Sequence, residues 1–193
     1  MSRDLLVIGL GNPGDRYTNT RHNVGVDALE VLSARCGERL AVDKKTSAML
    51  AELRMGTCRA VGAFPTTWMN ESGRTVAALV RRYEIDDWSR LVVLHDELDL
   101  PPGRIKVKLG GGLAGHNGLR SITQHLHTQD YVRVRIGVGR PPGGPERGAD
   151  WVLSKVGKAD RVELDIACQL AADAVEAIAA SGVDVAMQQF NQG

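Results

Sequence analysis

The sequence predicts one α/β domain, a mixed β-sheet flanked by helices. Three observations carry that prediction. Short apolar runs with strand character alternate along the chain with stretches of helical period. Two of the strand-like runs, 48–53 and 58–63, flank Arg54-Met55-Gly56-Thr57, which makes a hairpin and mixes an antiparallel pair into the sheet. A chain of 193 residues can bury well over half of its unfolded surface without a disulfide or metal staple, so 1–193 reads as a single domain.

The elements follow in order. Residues 5–10 are a short apolar run entering Gly11-Asn12-Pro13-Gly14, a buried strand that ends in a turn. Val24, Ala28, Leu29, Val31 and Leu32 give 22–36 the stripe of an amphipathic helix. After the hairpin, 65–70 is a loop, and Val76, Leu79, Val80 and Tyr83 mark a second helix beginning near Glu71. The run 91–96 is a central strand with polar groups at its C-terminal end, where open α/β sheets hold their ligands. A strand over 104–109, the glycine-rich stretch 110–118, a helix to about Leu126 and a strand over 132–136 come next. The last long helix starts near Asp160, buries Val162, Ile166, Leu170, Ala174 and Ile178, and stops at Gly182 as a C-cap.

Composition narrows the class. The chain is 43% hydrophobic and 24% charged, ordinary for a globular protein and unlike a disordered one. No run approaches eighteen apolar residues, and the N-terminus has an acid and too short an apolar run for a signal peptide. Cys36, Cys58 and Cys168 are odd in number and far apart, which reads as reduced, mostly buried thiols of a cytoplasmic protein. The net charge of +1 is unevenly spread: 104–161 holds 11 Lys/Arg against 4 Asp/Glu, while 162–193 holds 5 acids and no base. Strand alternation puts Arg104, Lys106 and Lys108 on one face, and Arg133 and Arg135 likewise. These five cations are read in two ways, as a solvated strand face or as a ledge for phosphates.

The motifs are weighed against their plain readings. Gly9-Leu10-Gly11-Asn12-Pro13-Gly14 spells the dinucleotide fingerprint, but the polar stretch 12–23 opens no helix at the glycines, so no nicotinamide or flavin is expected. No histidine or cysteine spacing fits a zinc site, and the expectation is no metal and no cofactor. No nucleophile elbow is present and no cysteine sits beside a base, which leaves water activated by a base as the simplest hydrolytic scheme. His22, just before a helix, is either a cap or a general base whose ordinary pKa near 6.5 suits that task. Asp96 in His95-Asp96-Glu97-Leu98-Asp99 offers a carboxylate to orient a histidine. Asn12, Asn70 and Asn117 lie in loops, as turn formers or as amides that pair with peptide groups.

Six blocks together resemble bacterial peptidyl-tRNA hydrolase: Gly9-Leu10-Gly11-Asn12-Pro13-Gly14 with Tyr17, Thr20-Arg21-His22-Asn23, Pro65-Thr66-Thr67-Trp68-Met69-Asn70, 95–101, 110–119 and Arg133-Val134-Arg135-Ile136-Gly137. They cover about residues 4 to 155 in the family's order and spacing. The resemblance implies a single domain with a twisted mixed sheet that hydrolyses the ester between a peptide and the terminal ribose of tRNA. His22 would be the general base and Asp96 the carboxylate that holds it. Asn12 matches the residue that tells a blocked peptidyl group from a free aminoacyl one. Tyr17, Trp68, Asn70 and Asn117 match substrate contacts, with Met69 packed beneath the site. The implied partner is peptidyl-tRNA, with no membrane, for a monomeric chain. Three departures stand out: Trp68 stands where a smaller aromatic residue is common, Leu113 sits in the glycine loop where a polar or small residue is expected, and the C-terminal segment is acidic where some members carry a basic tail.

Overall fold

The computed structural model describes residues 1–192. Seven strands form one mixed sheet: β1 (Leu5–Gly9), β2 (Ala41–Asp43), β3 (Ala48–Met55), β4 (Cys58–Pro65), β5 (Leu91–Glu97), β6 (Ile105–Leu109) and β7 (Val132–Gly137), in the order β2-β3-β4-β1-β5-β7-β6. Strands β4, β1, β5 and β7 run parallel, while β3 folds back on β4 as the expected hairpin and β6 pairs antiparallel with β7. Among the described residues, six α-helices flank the sheet: α1 (Val24–Arg35), α2 (Ser72–Arg82), α3 (Asn117–Leu126), α4 (Gly148–Val152), α5 (Lys158–Ser181) and α6 (Val183–Phe190).

Alternation along the buried strands divides the core. Leu5 and Val7 of β1 pack on one side with α1 and α5 residues such as Leu29 and Val175, whereas Leu6 and Ile8 pack on the other with Leu79 of α2 and Leu119 of α3. Among the described residues, no helix is long and apolar enough to cross a membrane.

α1 lies unusually close to the sheet. A Cβ on Gly25 would stand 2.3 Å from the Leu94 carbonyl oxygen and 2.9 Å from the Leu10 backbone, so only glycine lets the helix settle there. The contact has reach, since Gly25 is three residues past His22 and Leu94 two residues before Asp96. Gly25→Ala is therefore expected to cost about 3 kcal/mol, because rigid backbone rather than a side-chain tip must yield. A urea midpoint unchanged from wild type would refute it.

Two features differ from the sequence reading. The stripe assigned to α5 is buried only at its C-terminal end. Val162 is 61% and Ile166 49% exposed, and the buried face is Leu164, Ala167, Cys168, Ala171, Ala172, Ala174, Val175 and Ile178. A strict four-residue step turns about 40° per step around a helix, so a five-member stripe walks off the contact face. The alanines let α5 sit close on α1. The second difference is α6, which closes the sheet's β6 edge after the Gly182 cap (φ +92°). Just beyond it, Asn191 accepts from the Val107 N–H at 2.8 Å and donates to the Val107 carbonyl at 2.7 Å, mimicking a neighbouring strand.

Candidate active site

The C-terminal ends of β1 and β5 bring the polar blocks together. Tight 3-10 turns at Arg21–Asn23 and Met69–Glu71 carry His22 and Asn70, and the start of α3 carries His116 and Asn117. Asp96, 3% exposed, lies at the end of β5 and takes one hydrogen bond on each oxygen: His22 Nδ1 donates to Oδ2 at 2.9 Å and His116 Nε2 to Oδ1 at 2.7 Å. The rest of the network fixes both tautomers. His116 Nδ1 accepts from the N–H groups of Gly118 and Leu119 as the N-cap of α3, so its proton is on Nε2. His22 spends its Nδ1 proton on Asp96, and Nε2 remains without a partner among the described residues.

The electrostatics follow from this arrangement. Burial alone would raise the Asp96 carboxyl, but the two imidazoles overrule it and hold the group well below the usual carboxylate range. Burial pulls His22 down, while the charge and hydrogen bond of Asp96 push it up, and the balance lies above 6.5. The shift is larger at Asp96, which gains from two histidines, than at His22, which loses much of its single gain to its own burial. His95, adjacent in sequence, donates its Nδ1 proton to the Asp96 backbone carbonyl at 2.8 Å; burial, with His116 beside it, drops its pKa to about 3, so it stays neutral.

His22 sits where two clefts meet. One, of about 240 Å3, is lined by Asn12, Tyr17, Trp68, Met69, Asn70 and Asn117 together with Ala149, Val152 and Leu153. The other, of about 170 Å3, runs past Asp96, Glu97, Leu98 and the 114–117 turn to Gly148, Ala149 and Val152. In the first cleft, Asn12 is oriented by its neighbours. Its Oδ1 accepts from the Met69 N–H at 2.7 Å, and Asn23 clamps its backbone with two bonds of 2.9 Å, to the N–H and to the carbonyl. The side-chain NH2 is left as the group to offer. Tyr17 and the half-exposed Trp68 meet edge to face at 5.8 Å between ring centres. Two wider grooves, of about 740 and 860 Å3, lie elsewhere, at the start of β1 and between β6 and α5/α6. Neither contains a histidine.

His22, Asp96 and His116 are also the one group of potential metal ligands within mutual reach among the described residues. Their N···O separations of 2.7 and 2.9 Å are hydrogen bonds. Two ligands of a tetrahedral zinc would stand about 3.3 Å apart, so the geometry fits a proton-bearing chain better than an ion.

A sequence profile described as peptidyl-tRNA hydrolase matches residues 6–193. The chain belongs to that family. It is 48% identical over 186 residues to the peptidyl-tRNA hydrolase of Nocardia farcinica, covering 96% of this chain and 95% of that one. The Rhodococcus erythropolis protein of the same name is 47% identical over 192 residues, with 99% and 100% covered. The crystal structure of peptidyl-tRNA hydrolase from Acinetobacter baumannii superposes with a TM-score of 0.91 at 36% identity, covering 99% of this chain and 96% of that one.

Within this member of the peptidyl-tRNA hydrolase family, all eight of the residues expected around the chemistry line one of the two clefts: His22, Asp96, Asn12, Tyr17, Trp68, Met69, Asn70 and Asn117. The cationic residues divide. Lys106 and Lys108 are exposed on the β6 edge strand, and Arg104 just before it is exposed as well. Arg135 is half-buried, 3.6 Å from Glu97. Arg133 is fully buried, contrary to its place on a solvent face. It donates to the carbonyls of Gly112 and Gln129 and stacks over the Tyr131 ring at 4.8 Å, so it braces the glycine turn instead of meeting solvent.

Three contributors escaped the sequence reading. His116 was legible as an N-cap, since it directly precedes a helix. Asn23 stood inside a quoted block without a role. The α4 residues had no signal, because five helical residues behind Pro141-Pro142-Gly143-Gly144-Pro145 are too short for a period to show.

Proposed function

We propose that this chain hydrolyses the ester joining a peptide, or an N-blocked amino acid, to the terminal ribose of tRNA, with His22 Nε2 taking a proton from the attacking water. The observation that carries the reading is the His22–Asp96 pair at 2.9 Å, with the free imidazole nitrogen at the junction of two clefts. Asp96 keeps the Nδ1 tautomer in place and stabilises the imidazolium that forms when Nε2 accepts the proton. The cleft with the asparagines suits the peptidyl side. Asn12, with its oxygen already engaged, presents a donor to a peptide carbonyl that a free aminoacyl ester lacks. The start of α3, where Asn117 stands, turns the positive end of a helix dipole toward charge developing on the ester oxygen.

Lys106, Lys108, Arg104 and Arg135 are the phosphate-holding residues in this reading, with Arg133 left out because it is buried. Lys106→Gln with Lys108→Gln is expected to weaken tRNA binding and to flatten the dependence of log Kd on log salt by roughly 0.7–0.9 for each phosphate no longer neutralised. An unchanged slope in a filter-binding titration would return these lysines to an ordinary solvated strand.

The direct test is release of N-acetyl amino acid from N-acetyl-aminoacyl-tRNA, in EDTA, beside the unblocked aminoacyl-tRNA. Rapid cleavage of the blocked ester alone is expected. Binding of tRNA without cleavage would make the chain an RNA-binding protein, and loss of activity in EDTA would turn the three-residue cluster into a metal site.

A further inference from the structure

The short helix α4 walls both clefts through Gly148, Ala149, Val152 and Leu153, yet its two ends are held very differently. Upstream lie Gly143 and Gly144, at φ +101° and +118°, joined to the start of the helix by a local bond from the Arg147 N–H to the Gly144 carbonyl at 3.2 Å. Downstream the helix is riveted to the turn that carries His22, and the rivet is Arg21. Arg21 is only 4% exposed, and its guanidinium lies 3.5 Å from the ring centre of Trp151 on α4. Its Nη1 donates to Ser154 Oγ at 2.6 Å and to the Lys155 carbonyl at 3.3 Å, and Nη2 to Asp160 Oδ2 at 2.9 Å. Trp151 is steadied from its other side, its indole N–H donating to the Gly139 carbonyl at 2.9 Å. Backbone bonds from Arg21 to Ser154 and from Val156 to Asn19 run alongside.

We infer that Arg21 is a positioning residue that fixes α4 against the His22 turn and so sets how tightly the two clefts close on the substrate. The inference rests on the hydrolytic reading above. An arginine suits the task because a flat, forked cation can stack on an indole while its edge makes separate hydrogen bonds, which a lysine cannot do.

Arg21→Lys keeps the charge facing Asp160 but loses plane and fork. Steady-state kinetics on N-acetyl-aminoacyl-tRNA should show KM raised by about tenfold with kcat within about threefold, and the pH at which kcat/KM rises should not move. Amide exchange should accelerate over 148–153 while β5 stays protected. Trp151→Leu, made on the far partner, should reproduce the KM effect, and the double variant should be no worse than either single one. It also carries the test if Arg21→Lys does not fold. A fall in kcat at unchanged KM, or a moved pH profile, would mean that Arg21 acts on His22 itself and would overturn the inference. A lowered melting temperature with both constants unchanged would leave it purely structural and overturn it equally. Wild-type protein that cleaves no ester defeats the hydrolytic reading instead; the exchange difference at 148–153 would still report whether Arg21 holds α4.

Discussion

His22→Ala is expected to lower kcat on N-acetyl-aminoacyl-tRNA by roughly 10²–10⁴, the range in which a positioned base contributes. The loss should fall on kcat rather than KM, because in the proposed scheme the imidazole acts on water while Asn12, Asn70, Asn117 and the aromatic pair hold the substrate. Alanine also removes one of the two hydrogen bonds to Asp96, which is 3% exposed, so stability falls as well. His22→Gln separates the two effects. Its amide can still donate to Asp96 but cannot accept a proton near neutrality, so the protein should fold normally and remain slow. Single-turnover release of the N-acetyl amino acid measures both variants. Wild-type rates in His22→Ala would remove the base from the scheme.

Asp96→Asn is the second large effect, and its direction with pH can be worked out. In the wild type, Asp96 outweighs the burial of His22 and holds the imidazole pKa above 6.5. The base works only when neutral, so kcat/KM should rise with pH through that raised value. Without the carboxylate charge, burial dominates and the His22 pKa falls, carrying the rising limb below pH 6.5. The plateau should nevertheless drop by roughly 10²–10³, since the base is weaker and less well held. Asparagine also offers one acceptor where two histidine N–H groups point. Either His22 loses its partner or His116 does, and His116 can change tautomer only by giving up its cap on α3. A rising limb that stays in place would show that another group governs it.

Much of the fold was legible because strand and helix periods are local properties. The hairpin, the central strand ending at Asp96, and α1 to α3 stand close to where the periodicity put them. The site was legible in a different way. Its residues are scattered from Asn12 to Asn117 and show no spacing of their own. His22, Asp96 and the three asparagines stood out by residue type and place, each with a plain reading beside it. The resemblance of six blocks chose between those readings and added Tyr17, Trp68 and Met69, and the fold gathers them along two adjoining clefts.

What the chain by itself determined is therefore the alternation, the breaks, and the chemical types available at each turn. What covers a given face was decided only in three dimensions. Arg133 and Lys108 are register partners on the same face of the sheet, yet one is fully buried and the other exposed. The glycine turn closes over β7, while β6 is the sheet's edge. The same holds for α5, whose buried face takes in Ala167, Ala171 and Ala174 while Val162 and Ile166 stay exposed, and for α4, which gains its place from Arg21 and Trp151. Even the role of Asn12 was undecided along the chain, because an amide can donate or accept. Met69, 57 residues away, takes its oxygen and leaves it a donor. Period is set by neighbours in sequence, whereas burial, tautomer and hydrogen-bond direction are set by neighbours in space.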